Sequence, residues 1–135
     1  MNRWLLKTEP TTYSFADLVR AKKAVWDGVS NALALQHLRA MKPGDEALIY
    51  HSGKEKAAVG IAKVSAAPYA DPKEKDPKLV VVDLVPVRAL QTPVTLAAIK
   101  ADPRFAGWEL VRMSRLSVMP VSATQWAAVL KLAEG

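Results

Sequence analysis

The sequence predicts an α+β domain, and three observations lead there. Strand-like apolar runs recur at 3–8, 47–51, 58–64 and 79–85, the last rich in β-branched residues. Short helical spacings with good capping residues stand between and after them. The two kinds of element do not alternate regularly, as a parallel βαβ sheet would require. With 135 residues, half of them apolar, the chain is expected to form one domain over 1–135 with one real core.

Taken in order, residues 3–8 read as a strand closed by Glu9-Pro10. Ser14, followed three positions later by Asp17, caps a short helix over 15–21. Leu35, Leu38 and Met41 fall at helical spacing over 34–41. Pro43-Gly44 marks a turn into a strand at 47–51. A further strand at 58–64 is followed by the proline-rich, charged stretch 66–78, read as an exposed connection. The β-branched run 79–85 is expected to end, or to reach a sheet edge, at Pro86. Thr95 caps a helix over 96–101, stopped by Asp102-Pro103. Ser122 and Gln125 form a capping box for a last helix ending near Glu134. Trp4 and Trp126 are assigned to the core.

Composition narrows the function classes. The formal net charge is +6, which attracts polyanions and speeds association with them at low salt. A merely solubilising surface would carry the same charge, and that alternative stands. There are no cysteines, so disulfides, thiol chemistry and cysteine zinc sites are excluded. No apolar run reaches about 18 residues, so no membrane span is expected. No signal peptide is read before Trp4, and a cytoplasmic location is the expectation. Six glycines are scattered without a Gly-x-Gly. Neither a phosphate-cradling loop nor a metal-ligand spacing nor a nucleophile elbow is found. No cofactor and no metal are expected.

An ordered series of short motifs remains. It runs Trp4-Leu5-Leu6-Lys7-Thr8-Glu9-Pro10, Tyr13-Ser14, Val25-Trp26-Asp27-Gly28-Val29-Ser30-Asn31, Met41-Lys42-Pro43-Gly44-Asp45 and Ile49-Tyr50-His51-Ser52. Gly60-Ile61-Ala62, Asp76-Pro77-Lys78, Pro93-Val94-Thr95-Leu96 and Ser114-Arg115-Leu116-Ser117-Val118 complete it. Order and spacing resemble the EVE domain, a PUA-like family, from Trp4 to about Leu130. The resemblance implies a small β-barrel surrounded by short helices. It implies a non-catalytic module that binds nucleic acid, RNA or DNA, with a modified base held in an aromatic pocket. The chain departs from the family at Ser30, where an arginine is usual, and at Ala34-Leu35-Gln36-His37, where Ala-Arg-Asn-Phe is usual. Two cations beside the pocket are therefore missing.

The residues give this reading specific candidates. Trp26, beside the Asp27-Gly28 turn, is either a face for stacking a base, worth about 1–3 kcal/mol, or a core tryptophan; the resemblance implies the first. Asn31 can read a Watson–Crick edge or cap a helix. Thr8 and Glu9 end the first strand, and a carboxylate suits an exocyclic amino group. Tyr50 and Ser52 share one strand face, His51 the other. Arg115 can clamp a phosphate or pair with Glu9, and Leu116 and Ser117 belong to the same compact loop. The proposed pocket is thus Thr8, Glu9, Trp26, Asn31, Tyr50, Ser52, Arg115, Leu116 and Ser117. An enzyme or nucleoside binder using the same pocket is the alternative, and a protein-interaction domain a third. The enzyme would need His51 beside a carboxylate and a nucleophile.

Overall fold

The first strand lies between two neighbours of opposite sense, and this places the candidate site. In the computed structural model, which describes residues 1–134, β1 (Arg3–Thr8) pairs in parallel with β3 (Glu46–His51) and antiparallel with β7 (Val118–Pro120). Thr8 stands opposite His51, and Lys7 opposite Tyr50. Beyond β3 follow β4 (Ala57–Val64), the long β6 (Val80–Thr95) and β2 (Ala24–Trp26), with the two-residue β5 (Tyr69–Ala70) also on β6. The strands make one mixed, curled sheet, a half-barrel with β2 and β7 at its ends. With its short helices, this is the α+β, PUA-like architecture that the resemblance implies.

The expected end of a strand at Pro86 does not occur. β6 continues to Thr95 because its pairing with β4 slips around the proline: Ala62 faces Pro86, whereas Ile61 faces Arg88. Val87 is the extra residue. The bulge at Val87 interrupts the ladder next to Pro86, so the strand resumes beyond the residue that lacks an N–H, and it bends the strand. At a second, larger irregularity four residues of β6, 90–93, stand against Val59 alone, and Pro93 falls within that unpaired stretch.

The helices follow their caps. Ser14 and Asp17 close a reciprocal box at α1 (Phe15–Ala21), and Ser122 and Gln125 do so at α5 (Ala123–Ala133). Thr95 caps α3 (Leu96–Lys100). Between the first and third of these lies α2 (Ala32–Ala40), packed against both β6 and β7 and so covering the open side of the sheet. A 3-10 turn at Pro103–Phe105 and α4 (Glu109–Arg112) precede β7. β2, β5, β7, this turn and α4 have no counterpart in the sequence reading, being two to four residues long.

The core is built from Leu5, Leu6, Leu48, Ile49, Leu84 and Met119, all fully buried, with Trp4 and Trp126 in it as expected. Phe15 brings α1 so close to β4 that a Cβ on Gly60 would lie 2.5 Å from its ring. Asp45 is buried and accepts from Asn2 N–H, Trp4 Nε1–H and Lys42 N–H at 3.0–3.1 Å. It ties the Pro43-Gly44 turn to the start of β1. The stretch 66–78 is less free than expected: Tyr69 donates its hydroxyl to Asp83 at 2.6 Å, and Asp71 is buried.

Candidate functional site

The carboxyl end of β1 opens onto a cleft of about 570 Å³, within the range of roughly 300–1,000 Å³ typical of small-ligand sites. One wall is Thr8, Thr12 and Tyr13; another is the run from Lys23 to Gly28; Lys73 closes a third side. The Thr8 hydroxyl donates to the Tyr13 carbonyl at 2.7 Å, which leaves its lone pairs free toward the cleft. Tyr13 and Trp26 stand edge to face, ring centres 6.2 Å apart and planes at 83°. Two perpendicular rings form a corner in which a flat ligand on one ring presents its edge to the other.

Trp26 departs from the sequence expectation. It pairs with Val82 as part of β2 and is only 7% exposed. It is a core residue whose remaining surface helps wall the cleft, not a displayed face. Tyr13, half-buried, offers more ring surface there.

A second depression, of about 340 Å³, shares no lining residue with the cleft. It holds Asn31, Leu33, Arg115 and Leu116, with Arg112 at its rim. The nine candidates are therefore divided. Thr8 and Trp26 meet in the cleft; Asn31, Arg115 and Leu116 meet in the second depression; Glu9, Tyr50, Ser52 and Ser117 line neither. Asn31 is corrected in part. Its side-chain oxygen caps α2 by accepting from Ala34 N–H at 3.0 Å, which fixes the amide's orientation and leaves its two N–H donors unengaged. Glu9 is likewise occupied, accepting from Thr11 N–H and hydroxyl and abutting Gly53. It shapes the turn after β1 instead of facing the cleft. Tyr50 is buried, and burial pushes its phenol above the ordinary value. Ser52 and Ser117 join β1 by backbone bonds, Ser52 N–H to Thr8 and Lys7 N–H to Ser117. Arg115 is exposed and, among the described residues, has no ion pair, to Glu9 or otherwise.

Lys7 connects these parts. Its ammonium donates to the Ser114 carbonyl at 3.0 Å and lies 5.7 Å from the centre of the Tyr50 ring. Burial lowers its pKa from the ordinary lysine value. Lys7, Tyr13, Lys23 and Lys73 were absent from the nine candidates. Lys7 and Tyr13 lie inside the quoted motifs; Lys23 and Lys73 lie outside them, and only their placement distinguishes them. Lys23 also pairs with Asp83 at 3.4 Å.

His51 has both ring nitrogens engaged. Nε2 accepts from Phe15 N–H at 3.0 Å, which requires the Nδ1–H tautomer, and Nδ1 donates to Glu55 at 2.8 Å. The ring holds the start of α1 and has no nitrogen left for proton transfer. Among the described residues, no group of three or more His, Asp or Glu is placed to hold a metal ion. No helix is long and apolar enough to cross a membrane.

A family model described as the EVE domain matches residues 2–132. Mouse thymocyte nuclear protein 1 is 34% identical over 167 aligned positions, covering 98% of this chain and 74% of the mouse protein. The solved structure of Rpa0253 from Rhodopseudomonas palustris is 43% identical with a TM-score of 0.93, covering 99% of this chain and 94% of that one. Human THYN1 protein, solved in complex with DNA containing 5-methylcytosine, is 30% identical with a TM-score of 0.91, covering 100% of this chain and 99% of that one.

Proposed function

This chain belongs to the EVE domain family, and on that premise we propose that it binds nucleic acid without chemical turnover, seating one base in the cleft at the end of β1. The observation that carries the reading is the corner of Tyr13 and Trp26 edged by Lys23 and Lys73. Perpendicular aromatic surfaces suit a planar base, and the flanking ammonium groups suit the phosphates on either side of it. Support also comes from human THYN1, which adopts the same fold throughout and has been solved with 5-methylcytosine DNA. Methylated cytosine is therefore the first base to test. A base in a duplex has to be extruded at a cost of a few kcal/mol, which single strands avoid.

In this reading Tyr13 supplies most of the stacking surface and Trp26 fixes its orientation. Thr8 accepts from the base edge with its free lone pairs. Asn31, Arg112 and Arg115 take the neighbouring phosphate or sugar in the second depression. The commitment of both His51 nitrogens favours a binder over the enzyme alternative.

The test is a titration of the full chain with labelled single- and double-stranded DNA carrying cytosine or 5-methylcytosine, and with matching RNA, at several salt concentrations. Binding should strengthen on methylation. With about four phosphates neutralised, log K for single strands should fall against log salt with a slope of roughly −3. Absence of binding at low salt, or a flat salt response, would refute the proposal.

A further inference from the structure

A third depression, bordered by lysines, adjoins the same end of the sheet and has no part in the cleft. The turn after β3 begins where Ser52 N–H donates to the Thr8 carbonyl at 2.9 Å, and its Gly53 backs onto Glu9. It is thus continuous with the strand end that walls the cleft. The next residues alternate in sign as Lys54-Glu55-Lys56, but their roles differ. Glu55 gives its carboxylate to His51 Nδ1–H at 2.8 Å. Lys54 and Lys56 are exposed and, among the described residues, have no acidic partner. The Lys56 carbonyl accepts from Leu96 N–H at 2.8 Å, fastening the turn to the start of α3. Lys54, Glu55, Lys56 and Lys100 then border a depression of about 440 Å³ floored by Leu96 and Ala97.

Lys56 carries a second signal. Its φ is +47°, in the left-handed region where any residue with a Cβ is strained and glycine is not. Among the described residues the only other non-glycine with positive φ is Lys22, the neighbour of Lys23 in the cleft wall. At Lys22 the left-handed turn is the C-cap of α1, its N–H returning to the Leu18 carbonyl, whereas Lys56 caps no helix and a glycine there would give the same turn at lower cost. Strain of this kind is a reason to look for function.

We propose that Lys54, Lys56 and Lys100 form a further phosphate-contact site, which takes the backbone of a single-stranded polynucleotide as it leaves the cleft past Glu9. The inference rests on the nucleic-acid reading of the cleft and extends it to a longer footprint. Glu55 bonds to a neutral imidazole and keeps its charge, so three lysines and one carboxylate leave a net of two positive charges around the depression, which still favours backbone phosphates.

The experiment titrates the full chain with two single strands of the same central base, one of 4 and one of about 16 nucleotides, across a salt series. Polyglutamate of equal charge is the third probe. The variants are Lys54→Gln with Lys100→Gln, and separately Lys56→Gly. Wild type should bind the longer strand more tightly and with the steeper salt slope. The double variant should lower that slope by roughly 1.4, two contacts at about 0.7 each, and leave the short strand unchanged. Lys56→Gly should raise the melting temperature while weakening the longer strand, a pairing that a structural role for the side chain does not produce. An unchanged slope with the longer strand, while the short strand still binds, would overturn the further site and leave the cleft standing. Equal losses with both strands, or equal losses with polyglutamate, would overturn it as well. Failure of wild type to bind either strand would overturn both readings.

Discussion

Replacing the two rings of the cleft separates recognition from folding, because they are buried to different degrees. Trp26 is 7% exposed and Tyr13 half-buried. A buried tryptophan covers about 150–250 Å², so at about 25 cal/mol per Å² its loss removes roughly 4–6 kcal/mol of transfer energy as an upper bound. Measured truncations of this kind cost about 3–5 kcal/mol, against a total stability of roughly 5–15 kcal/mol. Trp26→Ala is therefore expected to melt far below wild type, and its weak binding would report partial unfolding. Tyr13→Ala removes a ring that is only partly packed and should cost about 1 kcal/mol of stability. If a base stacks on that ring, binding should weaken by about 1–3 kcal/mol, a factor of roughly 5 to 150. The assay pairs thermal melting with fluorescence titration of a 5-methylcytosine oligonucleotide at a temperature where each variant is folded. Trp26→Phe serves as the conservative control, keeping a ring in the core while losing indole surface. Wild-type affinity in both Tyr13→Ala and Trp26→Phe would refute the aromatic corner as the base site.

Three further outcomes follow from the geometry. Gly60→Ala should destabilise by about 1–3 kcal/mol through overpacking, because the new methyl meets the Phe15 ring at 2.5 Å; an unchanged melting temperature would show that α1 moves freely away. Asp45→Ala strands three donors, two of them on one oxygen, and should cost about 3 kcal/mol or more. Asp45→Asn should recover only part of this, since its amide must face a donor; full recovery in urea unfolding would contradict the assignment. Lys7→Met should raise stability at neutral pH. Its lowered pKa means that the folded state holds the proton less firmly than the unfolded chain, so charged Lys7 is a cost below the folded pKa. That cost is relieved as pH rises from the lowered value toward 10.5, so the gain from methionine should shrink over the same window. A lower melting temperature for Lys7→Met at pH 7 would reverse the sign and refute the argument.

What the sequence by itself determined is local. The caps at Ser14, Thr95 and Ser122, the turn at Pro43-Gly44 and the four main strand runs depend on neighbours within a few residues, and all appear where the residues place them. The motif order fixed the family as well. Pro86 misled because its effect depends on a partner strand: a bulge against β4 accepts it. Asn31 was ambiguous because one amide can cap or recognise, and the α2 backbone holds its oxygen. Only the tertiary structure decided the walls of the cleft. Parallel pairing with β3 brings the end of β1 to its place, antiparallel pairing with β6 sets Trp26, and the bond from Tyr69 to Asp83 ties down the start of the connection that carries Lys73. The alternation of a strand tells which residues share a face. It carries no information on which distant strand lies alongside, because that choice rests on burial summed over the whole core.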